Sequence, residues 1–121
     1  MIPLCSLGDL PDPGTLEFEV GTGEWPVPAF LVRRNGAVHA YLNRCPHAGH
    51  LLNWKSDDFF DASRMLLLCN SHGALFEPDT GQCVVGPCVG QGLRPLRIEI
   101  MDGRVVLRDS AADIGKWDWG R

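Results

Sequence analysis

The sequence predicts an all-β domain. Short apolar or alternating runs are separated throughout by Gly, Pro, Asn and Asp, and two pairs of runs are joined by Asn-Gly or Asp-Gly. These dipeptides tolerate the left-handed backbone that tight hairpin turns require. In chain order, Thr15–Val20 (TLEFEV) alternates with period two, the signature of a strand with one buried face. Phe30–Arg33 and Val38–Leu42 flank Asn35-Gly36 and read as a hairpin. Met65–Leu68 is a compact apolar run, and Arg97–Met101 with Val105–Arg108 forms a second hairpin around Asp102-Gly103. Only Asp57–Arg64 (DDFFDASR) has room for a turn or two of helix, because Gly or Pro interrupts most other windows. The expected architecture is a small antiparallel sandwich or barrel.

The chain has 121 residues. That suits one domain with one sizeable core, so residues 1–121 are read as a single domain. Hydrophobic residues make up 45% and charged residues 21%, a globular balance. A net charge of −4 argues against nucleic acid, whose binders need a basic surface to displace counterions. No apolar run approaches the roughly 20 residues that span a bilayer. The opening MIPLCSLGDLPDPG has neither a positive region nor a continuous apolar stretch, so no signal peptide and a cytoplasmic location are expected. Five cysteines are odd in number and cannot all pair. In a reducing compartment, clustered Cys with nearby His points to metal more than to disulfide.

The β pattern breaks at Asn43–Asn53 (NRCPHAGHLLN) and Cys69–Glu77 (CNSHGALFE), each after a strand-like run. Loops at strand ends are where a rigid sheet presents ligands. Cys45-Pro46-His47 and Cys69-Asn70-Ser71-His72 each offer one thiolate and one imidazole. Together they make a two-sulfur, two-nitrogen set: Cys45, His47, Cys69 and His72. In Rieske centres two His replace two Cys on one iron of a [2Fe–2S] cluster, which lowers the negative charge and raises the potential over an all-Cys site. Zinc also accepts two Cys and two His. Common zinc spacings pair like with like, whereas each loop here mixes the two, so spacing favours the cluster and leaves zinc open.

The stretch CPHAG…CNSHGALF…TGQCVVGP resembles the Rieske domain signature, C-x-H-x-G followed by C-x-x-H-G and a Gly-Pro turn that covers the cluster. The similarity runs from about Leu16 to Leu107. It implies the Rieske fold: antiparallel β-sheets with a cluster-binding subdomain, roughly residues 43–88, built on two ligand loops. It implies one [2Fe–2S] cluster per chain on Cys45, His47, Cys69 and His72. Gly49 and Gly73 are read as making tight loops whose backbone N–H groups donate to sulfur. The resemblance also places the imidazole edges of His47 and His72 at the surface. Loss of their outer protons would couple to oxidation, giving a potential that falls at alkaline pH.

Residues around the ligands point to one branch of the family. High-potential Rieske proteins carry an extra Cys in each ligand loop; the matching positions here are His50 and Ser71, so that disulfide is absent. The places of their Ser and Tyr hydroxyls are taken by Ala74 and Phe76, which donate no hydrogen bond. The pattern resembles the Rieske ferredoxins that serve aromatic-ring oxygenases. It implies an electron carrier between redox protein partners, a reductase and an oxygenase, with no chemistry on a small-molecule substrate and a potential nearer about −150 mV than +300 mV. Two other readings are a small subunit of a nitrite-reductase type enzyme and a redox or iron sensor.

The remaining conspicuous residues are read more plainly. The partner rim is expected at Pro46, Leu51, Leu52 and Pro87. His50 is a polar loop residue near Ser71, and Trp54 packs beneath the first ligand loop. Cys83 and Cys88 are two unpaired thiols, with a small disulfide or redox switch as the alternative. Asp57, Asp58 and Asp61 are a solvated surface or an acidic docking site. Trp117 and Trp119 either fold back on the sheet or mark an oligomer contact.

Overall fold

The structure, a computed structural model, describes residues 2–21, 27–46, 51–53, 58–70 and 73–109. Among these residues ten strands run in chain order: β1 (Ile2–Ser6), β2 (Gly14–Val20), β3 (Val27–Arg34), β4 (Ala37–Leu42), β5 (Leu67–Leu68), β6 (Leu75–Phe76), β7 (Cys83–Val85), β8 (Pro95–Leu96), β9 (Ile98–Met101) and β10 (Arg104–Leu107). They form three antiparallel sheets, ordered β1-β10-β9, β2-β3-β4-β8 and β5-β6-β7.

Both hairpins form where the dipeptides predict them. Asn35 and Gly36 take φ of 53° and 82°, and Asp102 and Gly103 take 52° and 74°, so both central residues of each turn are left-handed. The first turn has a further clasp. Asp12 accepts from the Asn35 and Gly36 amides at 3.0 and 2.7 Å, which holds the β1–β2 connection to the β3–β4 turn.

The four-stranded sheet lies between two cores because its central strand is apolar on both faces. On one face Ala29, Leu31, Ala40 and Leu42 meet Val105 and Leu107 of the β1-β10-β9 sheet, with Leu10 and Leu96. On the other, Phe30, Val32 and Tyr41 pack with Leu52, Phe59, Leu67, Phe76 and four cysteines. Period-two alternation sends neighbouring residues of β3 to opposite cores. Arg97 and Asp109 close the far end: the Asp109 carboxylate accepts from the Arg97 amide at 2.7 Å and from its Nε at 2.8 Å.

Asp57–Arg64, the one window with room for a turn or two of helix, forms none in its described part, residues 58–64. Phe60 instead bridges Leu67, and the Leu68 amide donates to the Phe59 carbonyl at 2.8 Å. Consecutive Phe59 and Phe60 are both buried, and the segment pairs as an extended edge beside β5. Among the described residues the one helical turn is a 3-10 turn at Leu7–Asp9. Asp61 terminates the extended edge. Its carboxylate accepts from Ser63 at 2.7 Å, and these hydrogen bonds hold it below the usual carboxylate range although burial acts the other way. That is a turn-forming role for one of the three acids.

Tyr41, the chain's single tyrosine, is 2% exposed and donates to the Pro78 carbonyl at 2.7 Å. Burial, with the Asp79 charge adding to it, pushes the phenol from 10.0 up to about 12. The folded protein therefore keeps this proton between pH 10 and about 12 while the unfolded chain releases it. Stability falls as pH rises through that window. Wild type is expected to lose about 1–2 kcal/mol more than Tyr41→Phe over that range, allowing for solvent screening near the ring edge. Urea denaturation at the two pH values measures the difference.

Candidate metal centre

Two loops grow from the ends of β4 and β5. After Leu42, the Asn43 amide donates to the Pro28 carbonyl at 3.0 Å and the Arg44 amide turns back to Leu42 at 2.9 Å. That turn leads the chain into Cys45, which is 1% exposed. The second loop leaves β5 at Cys69, which is fully buried. It closes locally, because the Cys69 amide donates to the Ala74 carbonyl at 2.9 Å and the Gly73 amide to the Cys69 carbonyl at 3.0 Å. Gly73 has φ of 73°, as a tight loop requires. Its N–H closes the loop on a backbone carbonyl.

One asparagine organises the first loop. Asn43, 2% exposed, accepts the Leu52 amide at 2.8 Å and donates to the Asn53 side chain at 2.9 Å. Asn53 in turn donates to Glu17 of β2 at 3.0 Å, which ties the loop to the four-stranded sheet. The two loops are then joined directly. The Asn70 amide and side chain both donate to the Leu52 carbonyl, at 2.8 and 3.2 Å. Cys45 and Cys69 therefore share one buried core.

Asn43→Ala would leave the buried Leu52 amide without its acceptor. We expect a cost of about 2–3 kcal/mol and faster bleaching of the cluster, with Asn43→Asp much milder because it keeps an acceptor oxygen. Thermal melting and the decay of visible absorbance measure the two effects.

A third loop lies over the second. β7 pairs with β6, and Gly86 follows with φ of 105°. A Cβ at Gly86 would stand 2.9 Å from the Ala74 Cα, so only glycine lets this turn approach the Cys69–Ala74 loop. Cys83 and Cys88 point inward from this turn and are 4% and 2% exposed. The Cys88 thiol donates to the Cys83 sulfur at 2.9 Å. Burial pushes the Cys88 thiol up to about 12, with Cys83 and then Cys45 reinforcing the shift.

Of the four expected ligands, Cys45 and Cys69 come together and His47 and His72 lie outside the described residues, as do Gly49, His50, Trp54, Asp57, Ser71, Trp117 and Trp119. Two buried thiols at the mouths of hydrogen-bonded loops, each leading directly toward a histidine in sequence, fit the donor set of a [2Fe–2S] cluster. The expected rim is corrected at one position. Leu52 is fully buried because its amide and carbonyl join the two loops, while Leu51 beside it is 50% exposed. Sequence reasoning missed Val85 and Val89, 49% and 61% exposed beside Pro87. Their signal was the apolar run Val84–Val85 continuing into a Gly-Pro turn.

A family model decides what this arrangement is. The Rieske [2Fe-2S] domain matches residues 1–109. The chain belongs to the Rieske [2Fe-2S] domain family. One [2Fe–2S] cluster per chain follows from that membership. A search of curated proteins finds no match. Among solved structures, this Rieske chain is similar to the ferredoxin of carbazole 1,9a-dioxygenase from Nocardioides aromaticivorans IC177. The identity is 22% and the TM-score 0.65, covering 88% of this chain and 97% of that one. It is also similar to the terminal oxygenase of carbazole 1,9a-dioxygenase from Novosphingobium sp. KA1, at 23% identity and TM-score 0.72, covering 89% of this chain and 29% of that one. The quaternary ammonium Rieske monooxygenase CntA matches at 17% identity and TM-score 0.72, with 92% and 32% covered. The chain thus spans under a third of either oxygenase. These identities establish a shared fold.

Proposed function

We propose that this Rieske protein is a one-electron carrier, with its cluster held by Cys45, His47, Cys69 and His72, passing electrons from a reductase to an oxygenase. The cluster supplies the electron acceptance and release; the chain supplies its mounting and its surface. The observation that carries the reading is the Asn43–Leu52–Asn70 junction, which joins the two loops whose cysteines, Cys45 and Cys69, share one buried core. Leu51 on the first loop and Val85, Pro87 and Val89 on the third are exposed, and apolar surface near a redox centre suits brief docking with a protein partner. The likeness to a carbazole dioxygenase ferredoxin supports an oxygenase as acceptor. Among the described residues no helix is long and apolar enough to cross a membrane.

Electron paramagnetic resonance of the anaerobically purified, dithionite-reduced protein tests the cluster, and stopped-flow reduction by an NAD(P)H-dependent reductase tests the role. A rhombic Rieske spectrum with onward transfer to an oxygenase is expected. A silent sample holding stoichiometric zinc would sink the assignment.

The residues beside the ligands point to a low potential. Ala74 and Phe76 are fully buried and offer no hydroxyl, and the Tyr41 hydroxyl is committed to Pro78. With no hydroxyl from these three positions to stabilise the reduced cluster, the midpoint is expected at about −150 mV. Phe76→Tyr is expected to move it upward. Protein-film voltammetry reads both, and a wild-type midpoint well above zero would contradict the proposal.

A further inference from the structure

We propose that Cys83 and Cys88 form a redox-active dithiol–disulfide pair that closes the Gly86-Pro87 turn covalently over the second ligand loop. Three observations carry it. The two sulfurs face each other at 2.9 Å with the Cys88 thiol donating, so reaching a disulfide bond length of about 2.05 Å asks for only a sub-ångström approach. Both side chains point into the core that also holds Cys45 and Cys69, and each is almost fully buried. The backbone carrying them is nonetheless at the surface: Val84, Val85, Gly86, Pro87 and Val89 are all exposed. Local opening of this short exposed turn is therefore enough to admit a small oxidant.

The chemistry needs a two-electron oxidant, and a peroxide is the class small enough to enter. One thiol attacks hydrogen peroxide, giving a sulfenic acid and water. The second thiol displaces hydroxide from that sulfur, forming the S–S bond and a second water. Two electrons and two protons leave the thiols, and the peroxide takes up both. A dithiol reductant reverses the change by exchange. Their burial makes the two thiols slow to react singly, and their contact makes capture of the first oxidised sulfur by the second efficient. The product is a closed turn resting on Ala74, the residue whose carbonyl holds the Cys69 amide. The cluster moves single electrons, so this pair is a second redox element of different electron count.

The test uses the holoprotein treated with stoichiometric hydrogen peroxide, alkylated without reductant, digested and mapped by mass spectrometry. The visible spectrum of the cluster is followed throughout. Expected is one linked product joining Cys83 to Cys88, lighter by two hydrogens, with the cluster spectrum retained and the free thiols restored by dithiothreitol. Cys88→Ser and Cys83→Ser should each abolish the product, and Cys5→Ser should leave it unchanged. Separate alkylation of Cys83 and Cys88 with an intact cluster would overturn the proposal. So would linkage through Cys45 or Cys69 that appears only as the cluster bleaches. The mass readout is independent of the electron acceptor, so its failure leaves the carrier role standing.

Discussion

Cys69→Ala is expected to abolish cluster loading, with iron falling from two atoms per chain to near zero and the rhombic paramagnetic signal lost. The reason lies in what holds the loop and what holds the metal. The backbone of Cys69 is held by its own loop, its amide on Ala74 and its carbonyl on Gly73, so the loop keeps its path when the sulfur is removed. What disappears is one of the two thiolates in the proposed set. A [2Fe–2S] centre with two histidines on one iron depends on both cysteines for the other, and nothing in that loop offers a replacement anion. Cys5→Ser is the matched control. Cys5 sits on β1, packed against the opposite core, and that variant is expected to load fully. Iron analysis with paramagnetic resonance decides the matter: an unchanged rhombic spectrum in Cys69→Ala would remove this residue from the ligand set.

Much of this was legible in the sequence, for physical reasons that differ by element. The two hairpins were readable because Asn35-Gly36 and Asp102-Gly103 encode a backbone conformation within two residues. The Cys/His loops were readable because metal chemistry restricts residue type and spacing. The strands β1, β6, β7 and β8 were not. β6 and β8 are two residues long, too short for a period to show, and they exist only because a partner strand lies beside them. The same holds for Phe59-Phe60, where local propensity suggested a helix and pairing with Leu67 overrode it. The role of Asn43 was invisible for another reason. It caps a loop through residues nine and ten positions away, a contact that exists only once the loop has closed.

Phe30→Ala is expected to be the most damaging core change, because it removes the side chain that couples the four-stranded sheet to the cluster-bearing core. Phe30 is fully buried at the centre of β3 and stacks on Phe59 with ring centroids 4.0 Å apart and planes 13° from parallel. It also meets Tyr41 at 5.9 Å. Truncating such a ring costs about 3–5 kcal/mol, from lost burial and from the cavity left behind. For a domain of this size that lowers the melting temperature by roughly 10–25 °C. Leu31→Ala makes the informative comparison. Leu31 is equally buried one residue along the same strand but faces the β1-β10-β9 sheet, and its loss costs about 2–5 kcal/mol. The two variants should differ at the cluster. Phe59 carries the carbonyl that receives the Leu68 amide, next to Cys69, so loosening Phe59 frees the strand that presents a ligand. Phe30→Ala is expected to bleach its cluster several-fold faster than Leu31→Ala, compared at temperatures equally far below their melting points. Equal bleaching rates would mean that the two cores are one cooperative unit, and that the alternation of β3 separates packing without separating function.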